Sequence, residues 1–513
     1  MEISEYAVNF LVLAALLLYG VFSSRISSRM NVPILLLFLA AGIYLGSFTD
    51  IKFSLTDGPA VKIANIIGTV AMAFILYSGG LETNIRSVRR IALPGILLST
   101  VGVFGTAALL SVAVHFLLGW SWAWSFMLGA VVSSTDAAAV FAILRSKGVS
   151  LQGDLASALE FESGSNDPMA ALLTIFMVSF LSNPADKPLW MFAIEFPVRM
   201  GVGVGSGFLI GWAGKWLFNH AKLSYEGLYF VLGVAIVIAA YGVTECIWGN
   251  GFMAAYCAGL TMGNMRYNYK KSQIRFNNGL AWLMQVAMFT VLGMLVTFND
   301  LIAIPGNGLF NAVWVRGLLL AAALMFVARP LAVFLCLIKS KFNIRERLLI
   351  SWVGLRGAAP IVLATFPLAA GLAGNAEKSE NAVFLFNLVF CMVIASVIIQ
   401  GRTLMPFARL LKLDSPLQDK ARMPLELEDT GSLDSIMHEF EVDANSLCLD
   451  KTLAEIKIPH PARVMLIRRE GKFIMPQGDT KILLNDGLLI MGDHGLLHKL
   501  AQSHFPGNDF LEN

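Results

Sequence analysis

The sequence predicts an all-α polytopic membrane protein of thirteen transmembrane helices, followed by a small α+β cytoplasmic domain at its C-terminus. Three observations predict it. The chain has 513 residues, 56% hydrophobic and only 14% charged, where a soluble domain carries about 25% charged residues. Residues 1–412 hold 28 Lys/Arg and 18 Asp/Glu, whereas residues 413–513 hold 10 and 17. A basic apolar body is therefore joined to an acidic soluble tail. Basic residues also collect at alternate ends of the apolar stretches, the pattern membrane insertion imposes. This composition excludes a large soluble enzyme and a collagen-like or disordered chain. The acidity of the tail argues against nucleic acid or anionic lipid as its partner.

A membrane helix needs ~20 mostly apolar residues. Such stretches run over about 5–24, 33–48, 61–79, 93–118, 122–145, 154–181, 190–218, 226–246, 251–264, 276–297, 309–338, 347–372 and 381–409. Acids (Glu2, Glu5) precede the first run, so it reads as a retained span and not a cleaved signal peptide. One set of loops and helix ends carries 20 basic residues, from Arg25 and Arg29 through Arg86, Arg145, Lys215, Arg266 and Lys339 to Lys412. The opposite set carries only Lys52, Lys62, Lys187 and Lys378. The alternation never breaks, which places the N-terminus outside and the tail in the cytoplasm. Trp120, Trp122 and Trp124 fall at an outer boundary, where an aromatic belt belongs.

Four segments follow from this reading: a membrane domain over 1–412, a polar linker over 413–433 with Pro416 and Pro424, a folded domain over 434–503, and a terminal tail over 504–513. Within the third, Glu439–Val442, Arg463–Arg468, Lys472–Ile474 and Leu488–Met491 have strand character, with turns expected at Gly471 and Gly487. Leu496–Gln502 reads as a short helix. The size suits regulation by an unidentified small ligand better than catalysis.

Charges inside spans are costly, so each marks a pathway or an ion pair. Glu82, Asp154, Glu195 and Glu245 lie near span ends. Asp136 does not: it sits mid-span in Ser133-Ser134-Thr135-Asp136. The next span carries Glu160-Phe161-Glu162-Ser163-Gly164-Ser165-Asn166-Asp167-Pro168. Glu160 and Asp167 are seven apart and Ser163 four before Asp167, so all three share a helix face. Oxygen-rich and free of His and Cys, this set suits a hard cation and not zinc or copper. The twelfth span contains Gly354-Leu355-Arg356-Gly357-Ala358-Ala359-Pro360, an interrupted segment with a buried Arg. Interruptions in spans five and twelve are seven spans apart, hence of opposite orientation, as in inverted-repeat transporters. Arg356 needs a buried anion, and Glu162 is the expected partner.

Other features are discounted. The Gly201-x-Gly203-x-Gly205-x-Gly207 run resembles a dinucleotide fingerprint but lies inside an apolar span, where close helix packing explains it. Cys246, Cys257, Cys336, Cys391 and Cys448 are isolated. No phosphate-binding loop occurs, so no ATP-driven pump and no cofactor is expected. Five of the seven histidines lie in the tail and read as surface groups.

Ser-Thr-Asp in span five, Glu-Ser-Gly-Ser-Asn-Asp-Pro in span six and Gly-Leu-Arg-Gly-Ala in span twelve resemble the bacterial NhaP-type sodium/proton and potassium/proton antiporters. These belong to the monovalent cation:proton antiporter superfamily, and the likeness covers roughly residues 5–410. Residues 434–503 resemble a TrkA-C (RCK-C) domain, though no nucleotide-binding half-domain accompanies it. The resemblance implies two crossing broken helices, a separate dimerisation bundle, a homodimer and the inner membrane of a bacterium. It implies ion ligands at Asp136, Ser163, Asn166 and Asp167 and at the Thr135 carbonyl, and an ion pair of Glu162 with Arg356. It further implies one-for-one, electroneutral exchange, because Asn166 stands where electrogenic relatives have a second Asp.

The chemistry agrees. A buried carboxylate holds its proton tightly, and a bound cation displaces it. Proton and cation then exclude each other at one site, with Asp167 as principal carrier and Asp136 as second carboxylate. The tail favours K⁺ as the ion, since its relatives regulate potassium systems. Na⁺ or Li⁺ on the same site is the rival, and a gated cation channel is the alternative from another class.

Overall fold

The protein is seen as a computed structural model, which describes residues 5–30, 34–48, 55, 58–182, 189–296, 312–370, 376–416, 436–443, 446–456, 458–469 and 472–505. The chain divides into two compact units. One holds Met1–Gly214, Phe230–Asn264 and Ile274–Leu417; the other holds Lys215–Tyr229, Met265–Gln273 and Gln418–Asn513.

The helices run in order α1 (Glu5–Met30), α2 (Ile34–Phe48), α3 (Gly58–Glu82), α4 (Ile85–Leu97), α5 (Val103–Leu118), α6 (Trp122–Val131), α7 (Ala137–Ser146), α8 (Leu155–Ser182) and α9 (Leu189–His220). They continue as α10 (Gly227–Cys246), α11 (Gly251–Asn264), α12 (Lys270–Met294), α13 (Val313–Ala323), α14 (Arg329–Cys336), α15 (Ile344–Trp352), α16 (Ala358–Ala369) and α17 (Ala376–Leu410). Among the described residues, 7 helices are by length and composition fit to cross a membrane, including Ile85–Leu118, Leu155–Ser182 and Glu380–Leu410. Trp122–Val131 and Ala358–Ala369 are apolar but short. Each is one half of an interrupted stretch, so neither half reaches the ~20 residues that span a bilayer.

Two kinds of irregularity occur in the same order in two halves of the chain. Single π-helical turns, Leu98–Gly102 and Leu324–Ala328, interrupt Ile85–Leu118 and Val313–Cys336. Each packs against the other stretch: α14 lies on the first π turn and α5 on the second. In each half the next helix then ends in a stretch that loses helix altogether, at residues 132–136 after α6 and 353–357 after α15.

The glycine run of α9 has the packing role expected of it. A methyl group at Gly203, Gly207 or Gly211 would lie 2.6–2.7 Å from α11 or the residue that caps it. Gly201 and Gly205, on the other side, face open space. Of the acids near span ends, Glu195 pairs with Arg199 at 3.2 Å, and Glu245 accepts the Gly251 N–H at 2.9 Å.

Strand β1 (Val149–Leu151) pairs antiparallel with β2 (Asp414–Pro416). The side chain and backbone N–H of Gln152 also donate to the carbonyls of Asp414 and Leu413. The linker expected from 413 therefore starts too early. Its first residues are held in a ladder that composition could not reveal, because the partner strand lies more than 260 residues away in sequence. Residues 417–433, the rest of that expected linker, lie outside the described residues, as do 434–435, Gly471 and the end of the 504–513 tail.

The tail forms a four-stranded antiparallel sheet in the order β3-β6-β4-β5, from β3 (Ile436–Glu441), β4 (Arg463–Arg469), β5 (Lys472–Ile474) and β6 (Gly487–Gly492). A short helix, α18 (Leu453–Ile456), precedes β4, and α19 (His494–His504) follows β6. Phe440, Ile467, Leu488 and Ile490 meet Leu497, Leu500 and Phe505 of this last segment in an apolar core. Gly487, expected at a turn, opens β6 instead. A side chain there would strike Glu439 Oε1 at 2.2 Å, where that carboxylate holds Arg468 Nε at 2.6 Å.

The buried Asp486 carboxylate organises the other end of this sheet. It accepts from Arg469 Nε (3.0 Å) and Nη2 (2.8 Å) and from the Leu483 N–H (2.8 Å). Asp486→Ala should remove three charge-assisted contacts and destabilise the tail by about 2 kcal/mol. Limited proteolysis of the full-length protein should then cut the tail at lower urea, with the membrane domain unaffected.

Candidate functional site

The two helix breaks meet. The Asp136 N–H donates to the Leu355 carbonyl at 2.8 Å, a backbone bond linking one interruption to the other. Asp136 is extended (φ −109°, ψ 95°) and caps α7, its Oδ1 accepting from the Ala139 N–H at 3.1 Å. Gly357 caps α16, and a methyl group built on it would lie 1.9 Å from Asp136 Oδ2. Only glycine lets the carboxylate approach this closely. The positive ends of two half-helices thus converge on one acid.

The opposite, negative half-helix ends are also satisfied. Arg356 Nη1 donates to the Ser133 carbonyl at 2.8 Å and to the Ser134 carbonyl, just beyond α6. Ser396 accepts the Arg356 N–H at 3.1 Å and donates to Gln400, whose Nε2 donates to the Trp352 carbonyl at 3.0 Å. Backbone left unpaired by each break is therefore claimed by a specific side chain, as burial requires.

Span six supplies the rest. Ser163 Oγ donates to the Thr135 carbonyl at 2.9 Å and accepts the Ala137 N–H at 3.0 Å. Asn166 Nδ2 donates to Thr135 Oγ1 at 2.5 Å, while its fully buried Oδ1 has no hydrogen-bond partner among the described residues. The expected ion ligands Ser163, Asn166 and Thr135 are thus bonded to one another. The Ser163 hydroxyl and the Thr135 carbonyl each keep one lone pair free. Asp136 and Asp167 look into a cavity of about 150 Å³ whose wall also includes Thr135, Ser163 and Gly357. Glu82, Arg145, Glu160 and Tyr256 line the same cavity.

The expected pairing of Glu162 with Arg356 is corrected by the structure. Glu162 Oε1 accepts from Arg329 Nη2 at 2.5 Å, with both side chains at most 2% exposed. Arg356 instead spends its guanidinium on the carbonyls of the α6 break. Arg329 follows the second π turn and lies against Gly354, where an added methyl would meet its Nε at 3.1 Å. Both arginines stand in apolar stretches of the sequence, but spacing along the chain does not tell which one a distant helix will face. Ser396 and Gln400, not among the residues expected from the sequence, also belong to the crossing. Their i, i+4 polar pair within the apolar stretch 388–401 of α17 is the available signal.

Gly357→Ala makes a sharp test of the crossing. It should displace the Asp136 carboxylate by an ångström or more and reduce turnover ~100-fold, with insertion and yield retained. Gly79→Ala, at a cavity position where a methyl group meets nothing within 4 Å, is the control.

Comparison with known proteins bears on what such a site does. The family model described as sodium/hydrogen exchanger, transmembrane, matches residues 12–410, and that of the TrkA-C domain matches residues 437–503. A protein of Shewanella sp. (strain ANA-3) named K(+)/H(+) antiporter NhaP2 is 36% identical over 505 residues, 96% of this chain and 82% of the relative. The K(+)/H(+) antiporter NhaP of Alkalimonas amylolytica is 36% identical over 484 residues, 94% of this chain and 80% of the relative. The solved structure of the sodium proton antiporter MjNhaP1 from Methanocaldococcus jannaschii superposes with a TM-score of 0.63 at 23% identity, covering 78% of this chain and 99% of that one.

Proposed function

Because the chain belongs to the transmembrane sodium/hydrogen exchanger family and carries a TrkA-C domain at 437–503, we propose that it is a secondary antiporter exchanging K⁺ for H⁺, one for one. The observation that carries the reading is the pair Asp136 and Asp167, facing one cavity at the crossing of two broken helices. A site of this kind neutralises its carboxylate with either a proton or a cation. If only the neutralised site crosses, each cation moved one way returns a proton the other way. Asp167 carries the exchanged charge, and Asp136 is the second anionic ligand. Asn166 Oδ1 and the free lone pairs on Ser163 and the Thr135 carbonyl complete a hard-oxygen shell. Arg356 and the Glu162–Arg329 pair hold the broken helices in register. Potassium is favoured because relatives covering most of the chain are named for it.

The thirteen apolar stretches are thirteen crossings, arranged as inverted repeats in which the π turn and the break of one half recur in the other. The N-terminus is periplasmic and the tail cytoplasmic, in a bacterial inner membrane, with two copies forming a dimer. Glu82, Arg145 and Glu160 stand beside the basic loops, so the cavity opens to the cytoplasm and the conformation faces inward.

Purified protein in liposomes with a pH gradient and a pH dye tests this. Dequenching by K⁺ at concentrations well below those needed for Na⁺, unaffected by membrane potential, is expected. Preference for Na⁺ would make it a sodium exchanger. Passive cation flux without proton movement would replace the antiporter with a channel.

A further inference from the structure

Glu160 lies seven residues before Asp167 on α8 and lines the same cavity. Seven residues of α-helix span about 10 Å, too far for one cation to touch both carboxylates. Gly164 lies between them on the same helical stripe, and the ring of Tyr256 is seated over it: a methyl group at 164 would lie 2.3 Å from the ring and 3.0 Å from the hydroxyl. Tyr256 is 2% exposed, and its hydroxyl, facing Thr83, completes no hydrogen bond of acceptable geometry. A buried hydroxyl thus stands over the helical stripe between an outer and an inner acid.

The charged neighbours of Glu160 are Arg145 and Glu82. Glu82 is fixed by Asn278 Nδ2 at 2.6 Å, itself held by the Ser78 hydroxyl at 2.6 Å. Glu160 has no salt bridge or hydrogen bond of its own among the described residues. Two carboxylates against one guanidinium leave this region net negative. The Arg145 guanidinium ends α7, the helix that Asp136 begins.

We infer that Glu160 is the carboxylate of a separate outer site for the incoming monovalent cation, with the Tyr256 hydroxyl as the next oxygen on the way to Asp167. Arg145 is the built-in positive charge that the cation displaces. This rests on the exchange reading above. Hard oxygens from a carboxylate and a phenol suit an alkali cation, and the fixed negative charge raises its local concentration.

Initial rates of K⁺-driven proton movement are measured in proteoliposomes over a range of K⁺. Glu160→Gln should raise the half-saturating K⁺ concentration about three- to tenfold, the weight of one partly screened charge, with the maximal rate little changed. Arg145→Gln should lower it, and Glu160→Asp should fall between wild type and Glu160→Gln. Impermeant choline salt should shrink these differences. A purely structural Glu160 would change maximal rate and thermal stability together. An unchanged half-saturating concentration in Glu160→Gln, or shifts of the same sign in Glu160→Gln and Arg145→Gln, overturns the outer site. Should Glu160→Gln fail to fold, Glu160→Asp and Arg145→Gln decide by the sign of their shifts. A wild type without any exchange defeats the functional reading itself, whereas an exchanging wild type matched by Glu160→Gln defeats only the outer site.

Discussion

Asp167→Asn should reduce cation-dependent proton movement in proteoliposomes to the protein-free background, while the protein should remain monodisperse with a melting temperature near wild type. Both halves of this expected result have a structural reason. The amide matches the carboxylate in size, and Ser163 and Asn166 beside it do not depend on its charge, since both donate to Thr135. The crossing of the breaks is held by Asp136, Leu355, Arg356 and Ser396. Folding should therefore tolerate the change. Transport should not, since an amide neither releases a proton at accessible pH nor supplies the charge that offsets dehydration of a cation. Exchange retained in Asp167→Asn would remove this residue from the mechanism and leave Asp136 as the carrier.

The second large effect concerns stability. Glu162→Gln strands the Arg329 guanidinium, 2% exposed in the helix bundle. Breaking a buried pair by removing one member costs about 3–5 kcal/mol, a large share of a typical domain stability of about 5–15 kcal/mol. Arg329→Gln should do the same from the other side. The double variant Glu162→Gln/Arg329→Gln should recover much of the loss, because no uncompensated charge remains. Glu162→Gln/Arg356→Gln should not recover, since Arg356 is spent on the carbonyls of Ser133 and Ser134. Thermal unfolding in detergent and the yield of monodisperse protein read out all four variants. Recovery with Arg356 in place of Arg329 would restore the pairing expected from the sequence.

Much of this protein is legible in the order of its residues. A membrane body has to be apolar along its length, so composition separates it from the tail without any knowledge of contacts. Strands in the tail alternate or run apolar between turn residues, and four expected strands appear within three residues of their places. The sixth span announces itself because acids in an apolar helix are too costly to be accidental, and Glu160, Ser163 and Asp167 reach one cavity because helix periodicity fixes their common face. The interruption at Gly354–Pro360 is equally local: glycine and proline break a helix wherever they fall.

What the tertiary structure alone decided is which of these groups meet. Arg329 and Arg356 are both buried and both basic, and only the packing of α14 and of the second break onto α8 and the first break assigns one to Glu162 and the other to backbone carbonyls. The strand pairing of 149–151 with 414–416, the bond from Asp136 to Leu355, the capping by Ser396 and Gln400, and the seating of Tyr256 over Gly164 are of the same kind. Local sequence specifies which charges must be compensated, because desolvation penalises each one wherever it sits. It does not specify the compensator, because contact between residues on different helices depends on how whole helices cross.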